Sequence, residues 1–330
     1  MQAIVLVGGE GTRLRPLTDT VPKPALTLVD RPFLAYMVEW LGSHGVTEVV
    51  LACGFLPDRL REALGEGEHE GVALTYVVEP ERRGTAGAIR FAAEALGDRL
   101  EDRFLALNGD VLTDLDLTTL LRTHEERGAR ATLGLHAVED SSAYGLVACD
   151  ARGAVLSFTE KTGEEVPGEV SAGAYVLERD VLDLIPPGRE FSIEREVFPR
   201  LVGAGLCATT LHGDWTEIGT HDRYLQATWD ILEGRVGTGV RPTTPGVFLA
   251  TDRAVHDSAT IGPRAVVSRG CEVGPDATVE GSVLLDGAVV GAGARVTGSV
   301  LAPGAVVGPG AEVLDAMVAA GERIASTGDR

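Results

Sequence analysis

The stretch AIVLVGGEGTRLRPLTDTVPKP, residues 3–24, decides how the amino-terminal half folds. Its five leading apolar residues read as a short strand buried on both faces, the pattern of a parallel sheet. Gly8, Gly9 and Gly11 follow at once. Without a Cβ the backbone can approach a ligand closely, and successive N–H groups can cradle an anion. The spacing is not that of a P-loop, because no Gly-Lys-Ser/Thr follows. It is not the dinucleotide fingerprint either, because Arg and Pro replace the third glycine and the helix opening. Pro22 and Pro24 stiffen the chain on both sides of Lys23 and hold its position.

Outward from this loop, short apolar runs alternate with helical spacing. EVVLAC (48–53) and FLALNGD (104–110) repeat the buried-strand pattern, and Phe33-Leu34, Met37-Val38 and Leu41 recur at the period of a helix between the first two strands. Thr85 reads as an N-cap, with Ile89, Ala92-Ala93 and Leu96 on the face behind it. The alternation predicts βαβ units and an α/β, mostly parallel sheet. ATLGLHAV (131–138), VSAGAYVL (170–177) and LCATTLHG (206–213) add strands with less helix between them, and His221 to Leu232 reads as a closing helix. The expected organisation is a first domain over 1–233, a Gly/Pro/Thr-rich linker over 234–250 and a second domain over 251–330. In the last of these, apolar residues step by six at Ile261, Val267, Val273, Val279 and Leu285. They continue by six or five at Val290, Val296, Leu301, Val307, Val313, Val318 and Ile324. A small residue precedes many of them by two, as at Ala265, Cys271, Ala277, Ala294, Ala305 and Ala311. That period is the signature of a hexapeptide-repeat β-helix, and twelve units at three per coil predict about four coils.

The whole chain, 330 residues with 44% hydrophobic and 24% charged, reads as folded and globular. A formal charge of −20 excludes a nucleic-acid backbone as partner but leaves room for a small anion in a locally basic cleft. Of 29 basic residues only Lys23 and Lys161 are lysine. In a chain that otherwise uses arginine, two retained ammonium groups point to sites where a compact charge matters more than a planar fork. Cys53, Cys149, Cys207 and Cys271 are scattered, which fits buried thiols better than a disulfide frame or a zinc site. No apolar run reaches a membrane span and the amino terminus carries no secretory pattern, so a cytoplasmic location is expected.

The motif GGxGTRLRPLT followed by PKP resembles the signature of the sugar-1-phosphate nucleotidylyltransferases, the NDP-sugar pyrophosphorylases. Further blocks match in order: EPERRGTAGAI (79–89), LNGDVLTDLDL (107–117), AYGLV (143–147), FTEKT (158–162), FSIEREVFPRL (191–201) and WTEIGTHDRYLQATWDIL (215–232). The pattern is most similar to the mannose-1-phosphate guanylyltransferase branch. The resemblance implies a Rossmann-like mixed, mostly parallel sheet followed by a left-handed β-helix. It implies transfer of a nucleoside monophosphate from a nucleoside triphosphate to a hexose 1-phosphate with Mg2+ or another divalent cation, GTP and mannose 1-phosphate being the expected pair. Gly8, Gly9, Gly11 and Thr12 would then line the nucleotide site, Arg13 would hold the β- and γ-phosphates, and Lys23 would neutralise the α-phosphate. Glu79, Gly84 and Thr85 would lie beside base and ribose. Gly145, Glu160, Ser171 and Gly173 would line the hexose, with Lys161 on its phosphate. Asp110 and Glu217 would ligate the metal.

Three positions depart from the family pattern. Glu217 stands where Asp is usual, and its extra methylene moves the carboxylate by about 1.5 Å. Ser171 stands where Asn is usual, with fewer donors, and Thr162 replaces a proline after Lys161. The other readings are a glucose-1-phosphate thymidylyl- or adenylyltransferase, and a non-catalytic sugar-nucleotide-sensing subunit. The retained Arg13, Lys23, Asp110 and Lys161 argue against the second. An acyltransferase role for the coils lacks the histidine such enzymes use, since none follows His256. The flat sides and ends of a β-helix need covering, so a homo-oligomer is expected.

Overall fold

The computed structural model describes residues 1–159 and 163–326. They divide into two compact units, one comprising Met1–Gly9 with Met37–Trp215, the other Glu10–Tyr36 with Thr216 to the carboxyl end. No helix among the described residues is long and apolar enough to cross a membrane.

The first unit is built on a ten-stranded mixed sheet. In chain order its strands are β1 (Gln2–Leu6), β2 (Glu48–Cys53), β3 (Gly67–His69), β4 (Val72–Val78), β5 (Arg103–Asn108), β6 (Ala131–Val138), β7 (Leu146–Cys149), β8 (Val155–Thr159), β9 (Gly168–Glu178) and β10 (Leu206–Thr210). The main path runs β8-β7-β9-β5-β1-β2-β4-β3, with β6 pairing β9 and β10. β1 lies between β2 and β5 and pairs in parallel with both, Val5 opposite Leu51 and Leu107. β4 extends the parallel block beyond β2. Val5, Leu51 and Leu105 are wholly buried, which is why these strands read as unbroken apolar runs. The helix Gly84–Leu96 turns Ala86, Ile89, Ala92 and Ala93 into one core with Ile4, Val50, Phe104, Tyr175 and Phe198. β9 is antiparallel to β5 and β6, and its register with β6 breaks between Ser171 and Tyr175.

The start of that helix departs from the sequence expectation. Arg83, not Thr85, is the N-cap residue, and no side chain caps the helix. The first-turn N–H groups of Ala86 and Gly87 instead donate to the Phe191 carbonyl at 2.9 and 3.3 Å. A backbone carbonyl can come this close only because Gly84 and Gly87 lack side chains. A Cβ on Gly84 would stand 2.7 Å from Phe191 O, and one on Gly87 2.6 Å from Arg189 O. Thr85 is thereby released from capping.

In the second unit the helix His221–Leu232 starts at Thr220, whose hydroxyl accepts from Arg223 N, and buries Tyr224, whose own hydroxyl donates to Thr27 O. Beyond it come three parallel sheets wound from strands of two or three residues. The first coil strand, Val247–Leu249, pairs with Ala265–Val267 and so lies inside the stretch 234–250. Glu233 at the end of the helix joins the coils through Arg264 at 2.7 Å. Among the described residues the coil strands pair in parallel register, consistent with the left-handed β-helix expected of hexapeptide repeats.

The period is now explicit. Leu249, Val255 and Ile261 each pair with the residue 18 positions on. From Val267 onward the step is 17, with Val267 beneath Leu284, Val273 beneath Val290 and Val279 beneath Val296. The interior position is therefore Leu284, not Leu285. The residue is lost at one corner, where 280–281 between Val279 and Ser282 replace 262–264 between Ile261 and Ala265. Gly281, Gly298 and Asp315 turn that corner with left-handed φ values of 54°, 57° and 46°. Buried Ser282 and Ser299 line the same corner. Each donates to the carbonyl two residues back at 2.7 Å and accepts an N–H from the next coil. Leu284 is fully buried and Leu314 is 55% exposed. Leu284→Ala should therefore destabilise the coils by about 2–5 kcal/mol. Leu314→Ala should stay within about 0.5 kcal/mol in the same denaturant titration.

Candidate active site

In the first unit the carboxyl ends of β1, β4 and β5 carry expected site residues, the edge at which open α/β sheets bind ligands. Gly8 and Gly9 leave β1 exposed. Gly8 passes so close to Gly54 that a Cβ on Gly54 would stand 3.0 Å from Gly8 O. Glu79 follows β4, its N–H bound to Cys53 O at 2.8 Å, and its Oε1 lies 3.5 Å from where a Cβ on Gly8 would be. Burial pushes the Glu79 carboxyl up to about 7, against a smaller opposing pull from Arg83. Arg83 itself rests on the Phe91 ring at 4.6 Å and pairs with Glu81 at 3.3 Å. Asp110 is half-buried just past β5, where Gly109 N donates to Leu6 O at 2.9 Å.

The break in β9 shapes the expected hexose side. Gly173 has φ +70°, and a Cβ there would strike Asn108 Nδ2 at 2.7 Å. Extra residues in one strand re-aim its side chains, a device common beside active sites. Trp215 anchors the bulge by donating from Nε1 to Ala172 O at 2.9 Å. Its ring stacks on His136 at 5.4 Å and meets the edge of Tyr144 at 5.5 Å. Gly145, at the start of β7, leaves no room for a side chain, since its Cβ would lie 2.9 Å from Thr159 O. From the bulge a hydrogen-bonded chain runs inward. Gly173 N reaches Ser171 Oγ at 3.3 Å, Ser171 Oγ meets Tyr175 OH at 3.1 Å, and Tyr175 donates to Glu194 Oε1 at 3.0 Å. Thr85 donates to Glu194 Oε2 at 3.2 Å and accepts from Ile193 N at 2.8 Å. Burial first, then the charge of Glu194, drives the Tyr175 phenol well above its usual range.

In the second unit the opening loop folds back on itself. Gly11, at φ +64°, accepts on its carbonyl from Leu14 N and from Thr18 Oγ1, both at 2.9 Å. A Cβ on Gly11 would lie 3.0 Å from Thr18 Cγ2 and 3.1 Å from Lys23 Cβ, so the Lys23 stem packs on the glycine. Pro22, extended at ψ 145°, leads into the turn Lys23–Ala25, and Lys23 is only 8% exposed. Arg13 Nη2 stands 3.4 Å from Glu217 Oε1, and both rest over Gly219, whose Cβ would fall 2.9 Å from the same nitrogen. Arg13 is largely exposed, so this pair is worth at most about 1 kcal/mol and can be exchanged for a ligand. Thr12, next to Arg13 in the chain, is exposed.

Within the first unit, then, Gly8 meets Glu79, and Thr85 is linked to Ser171 and Gly173. Within the second, Gly11 meets Lys23 and Arg13 meets Glu217. Glu160, Lys161 and Thr162 lie outside the described residues. Among the described residues no three His, Cys, Asp or Glu side chains gather to hold a metal. Sequence reasoning passed over Glu194 and Tyr175 as functional residues. Their signal was the polar residue Glu194 set between the buried Ile193 and Val197, but its partners are more than a hundred residues away in the case of Thr85.

Residues 2–234 match the family described as nucleotidyl transferase, and residues 243–326 match the GMPPB C-terminal domain. A mannose-1-phosphate guanylyltransferase from Mycobacterium tuberculosis is 37% identical over 296 residues, covering 87% of this chain and 80% of that protein. A probable mannose-1-phosphate guanylyltransferase 3 from Oryza sativa is 36% identical, covering 87% and 79%. The crystal structure of HddC from Yersinia pseudotuberculosis complexed with GMP-PN superposes with a TM-score of 0.60 at 25% identity, covering 70% of this chain and 99% of that one.

The raised Glu79 pKa has a thermodynamic consequence. Its folded value, about 7, lies above the ordinary 4.5, so the folded state binds the extra proton between them. The contribution to stability is full below 4.5 and is lost as pH rises through 7. Glu79→Gln should therefore raise the unfolding temperature relative to wild type at pH 8 but not at pH 4.5, as read by calorimetry at both pH values.

Proposed function

The chain belongs to the nucleotidyl transferase family, and on that premise we propose that it converts GTP and α-D-mannose 1-phosphate to GDP-mannose and pyrophosphate. The observation that carries the substrate pair is the run of relatives named for this reaction at 36–37% identity over most of the chain. A relative named UTP–glucose-1-phosphate uridylyltransferase, from Synechocystis, aligns at a lower 32% identity.

In this reading an oxygen of the mannose 1-phosphate attacks the α-phosphorus of GTP, the new P–O bond forms, and the bond to the bridging oxygen breaks in line to release pyrophosphate. The attacking phosphate is already anionic, so the step needs positioning and charge neutralisation rather than a protein base. Arg13 is suited to the β- and γ-phosphates, because an exposed planar guanidinium binds phosphate in a fork. Lys23 presents an ammonium on a buried, proline-flanked turn, where a low dielectric strengthens its pull on the α-phosphate. Gly8, Gly9, Gly11 and Thr12 give close backbone approach. Glu79 offers acceptors for the amino donor that distinguishes guanine, and Gly84 and Thr85 follow it in the chain. Lys161 takes the sugar phosphate, with Gly145, Glu160, Ser171 and Gly173 along the hexose.

Asp110 and Glu217 would hold a divalent cation. Carboxylate oxygens are hard donors of the kind Mg2+ takes together with waters and substrate phosphate oxygens. When bound, the ion neutralises charge on the phosphates and the departing pyrophosphate.

Pyrophosphate release measured across GTP, ATP, UTP and dTTP with several hexose 1-phosphates tests the assignment. GTP with mannose 1-phosphate should give the highest kcat/KM, and a better pair would replace it. Lys23→Met keeps the buried stem and removes the charge. It should lower kcat by roughly 100-fold or more, the loss expected when one transition-state charge partner goes, while the far-UV circular dichroism spectrum stays that of a folded protein.

A further inference from the structure

The carboxylate of Glu194 collects three hydroxyl protons. Tyr175 donates to Oε1 at 3.0 Å, while Thr85 and Ser192 donate to Oε2 at 3.2 Å each. An ionised carboxylate can only accept, and a hydroxyl has one proton to give. The Tyr175 proton is therefore committed to Glu194, and only lone pairs remain on its oxygen. Ser171 Oγ lies 3.1 Å from that oxygen, so the contact can be made only with Ser171 as the donor. Its single proton is thus spent inward. Gly173 N–H, at 3.3 Å, occupies one of the two remaining lone pairs of Ser171 Oγ. What this half-buried serine presents outward is one acceptor and no donor.

We propose that Glu194 is a positioning residue that sets the polarity of the hexose site, acting through Tyr175 to make Ser171 a pure hydrogen-bond acceptor that selects a donating hydroxyl of the hexose 1-phosphate. The inference deepens the reading above and rests on it, since it takes Ser171 to face the sugar. The geometry supports a fixed polarity. Tyr175 is buried to 1% exposure between β5 and β6, which shields its hydroxyl from bulk solvent. Ser171 and Gly173 are held by the break in β9. An asparagine at this place would offer an amide with both donors and an acceptor. Serine wired to Tyr175 and Glu194 offers only the acceptor, so the substitution narrows what the site can bind.

Replacing single hydroxyls of mannose 1-phosphate by fluorine gives analogues that can no longer donate at one position. With wild-type enzyme, one fluoro position should raise KM by roughly 10-fold or more, because a site built to bond a hydroxyl rejects the analogue lacking its proton. The KM for GTP should not move, and kcat should change much less than KM. Ser171→Ala should remove that penalty. Tyr175→Phe keeps the ring, takes away the acceptor for Ser171 and frees its proton, and Glu194→Leu frees the Tyr175 proton to turn toward Ser171. Both should shrink the fluoro penalty while the penalties at other positions stay as in wild type. A penalty that persists at full size in Tyr175→Phe overturns the proposal. So does a uniform rise in the KM of both substrates, which marks Glu194 as a structural hub only. Should Glu194→Leu fail to fold, Tyr175→Phe alone decides. If the wild-type protein turns over no hexose 1-phosphate at all, the parent reading fails and this one falls with it. Turnover with unaltered fluoro penalties overturns the polarity alone.

Discussion

The arrangement of the first unit depends on the parallel pairing of β1 with a strand on each side. With β2 and β5 both bonded to it, neither edge of β1 is open, its residues Ala3 to Val5 are wholly buried, and the chain leaves the ladder after Val7. The same ladder fixes the exits of its neighbours. Val7 N reaches across to Ala52 O and Gly109 N to Leu6 O, each at about the length of an ordinary sheet bond. Gly8, Glu79 and Asp110 thus share one edge as a result of register, and no contact among their side chains is needed to bring them there.

Backbone groups that the regular elements leave over are satisfied by partners from distant parts of the chain. The helix Gly84–Leu96 takes its cap from the Phe191 carbonyl, which requires glycine at 84 and 87. This gives the glycines of the GTAGA block a structural duty that stands whatever role they have toward a nucleotide. It also turns Thr85 away from capping, so that its hydroxyl serves Ile193 and Glu194. In the coils the buried serines 282 and 299 do the equivalent work, bridging from one coil to the next where the corner is one residue short. A buried polar group without a partner costs about 1–3 kcal/mol, which is enough to explain why serine is found in an otherwise aliphatic stack.

Much of the fold was legible because its signals are local. The apolar runs at 3–7, 48–53 and 104–110, the helix His221–Leu232 and the hexad phase all rest on residues close in sequence. Two local readings failed for the same reason. Thr85 has the chemistry of an N-cap, and Leu285 continues a step of six, yet each is displaced by a partner distant in the chain. Phe191 displaces the first, and the stacking of Leu284 between Val267 and Leu301 displaces the second. The candidate site divides likewise. Arg13, Lys23 and Asp110 were visible as charges in fixed motifs, whereas Tyr175 and Glu194 carry no motif of their own and acquire meaning only through what they touch.

By itself the sequence determined the two architectures and the family, because periodicity, glycine spacing and charge type are properties of neighbouring residues. Only the tertiary structure decided which way protons point along Ser171, Tyr175 and Glu194, why glycine is required at 84 and 173, and that the coil closes in 17 residues after a first turn of 18. Hydrogen-bond polarity, close backbone approach and stacking register depend on pairs of residues brought together from far apart. No local pattern encodes them.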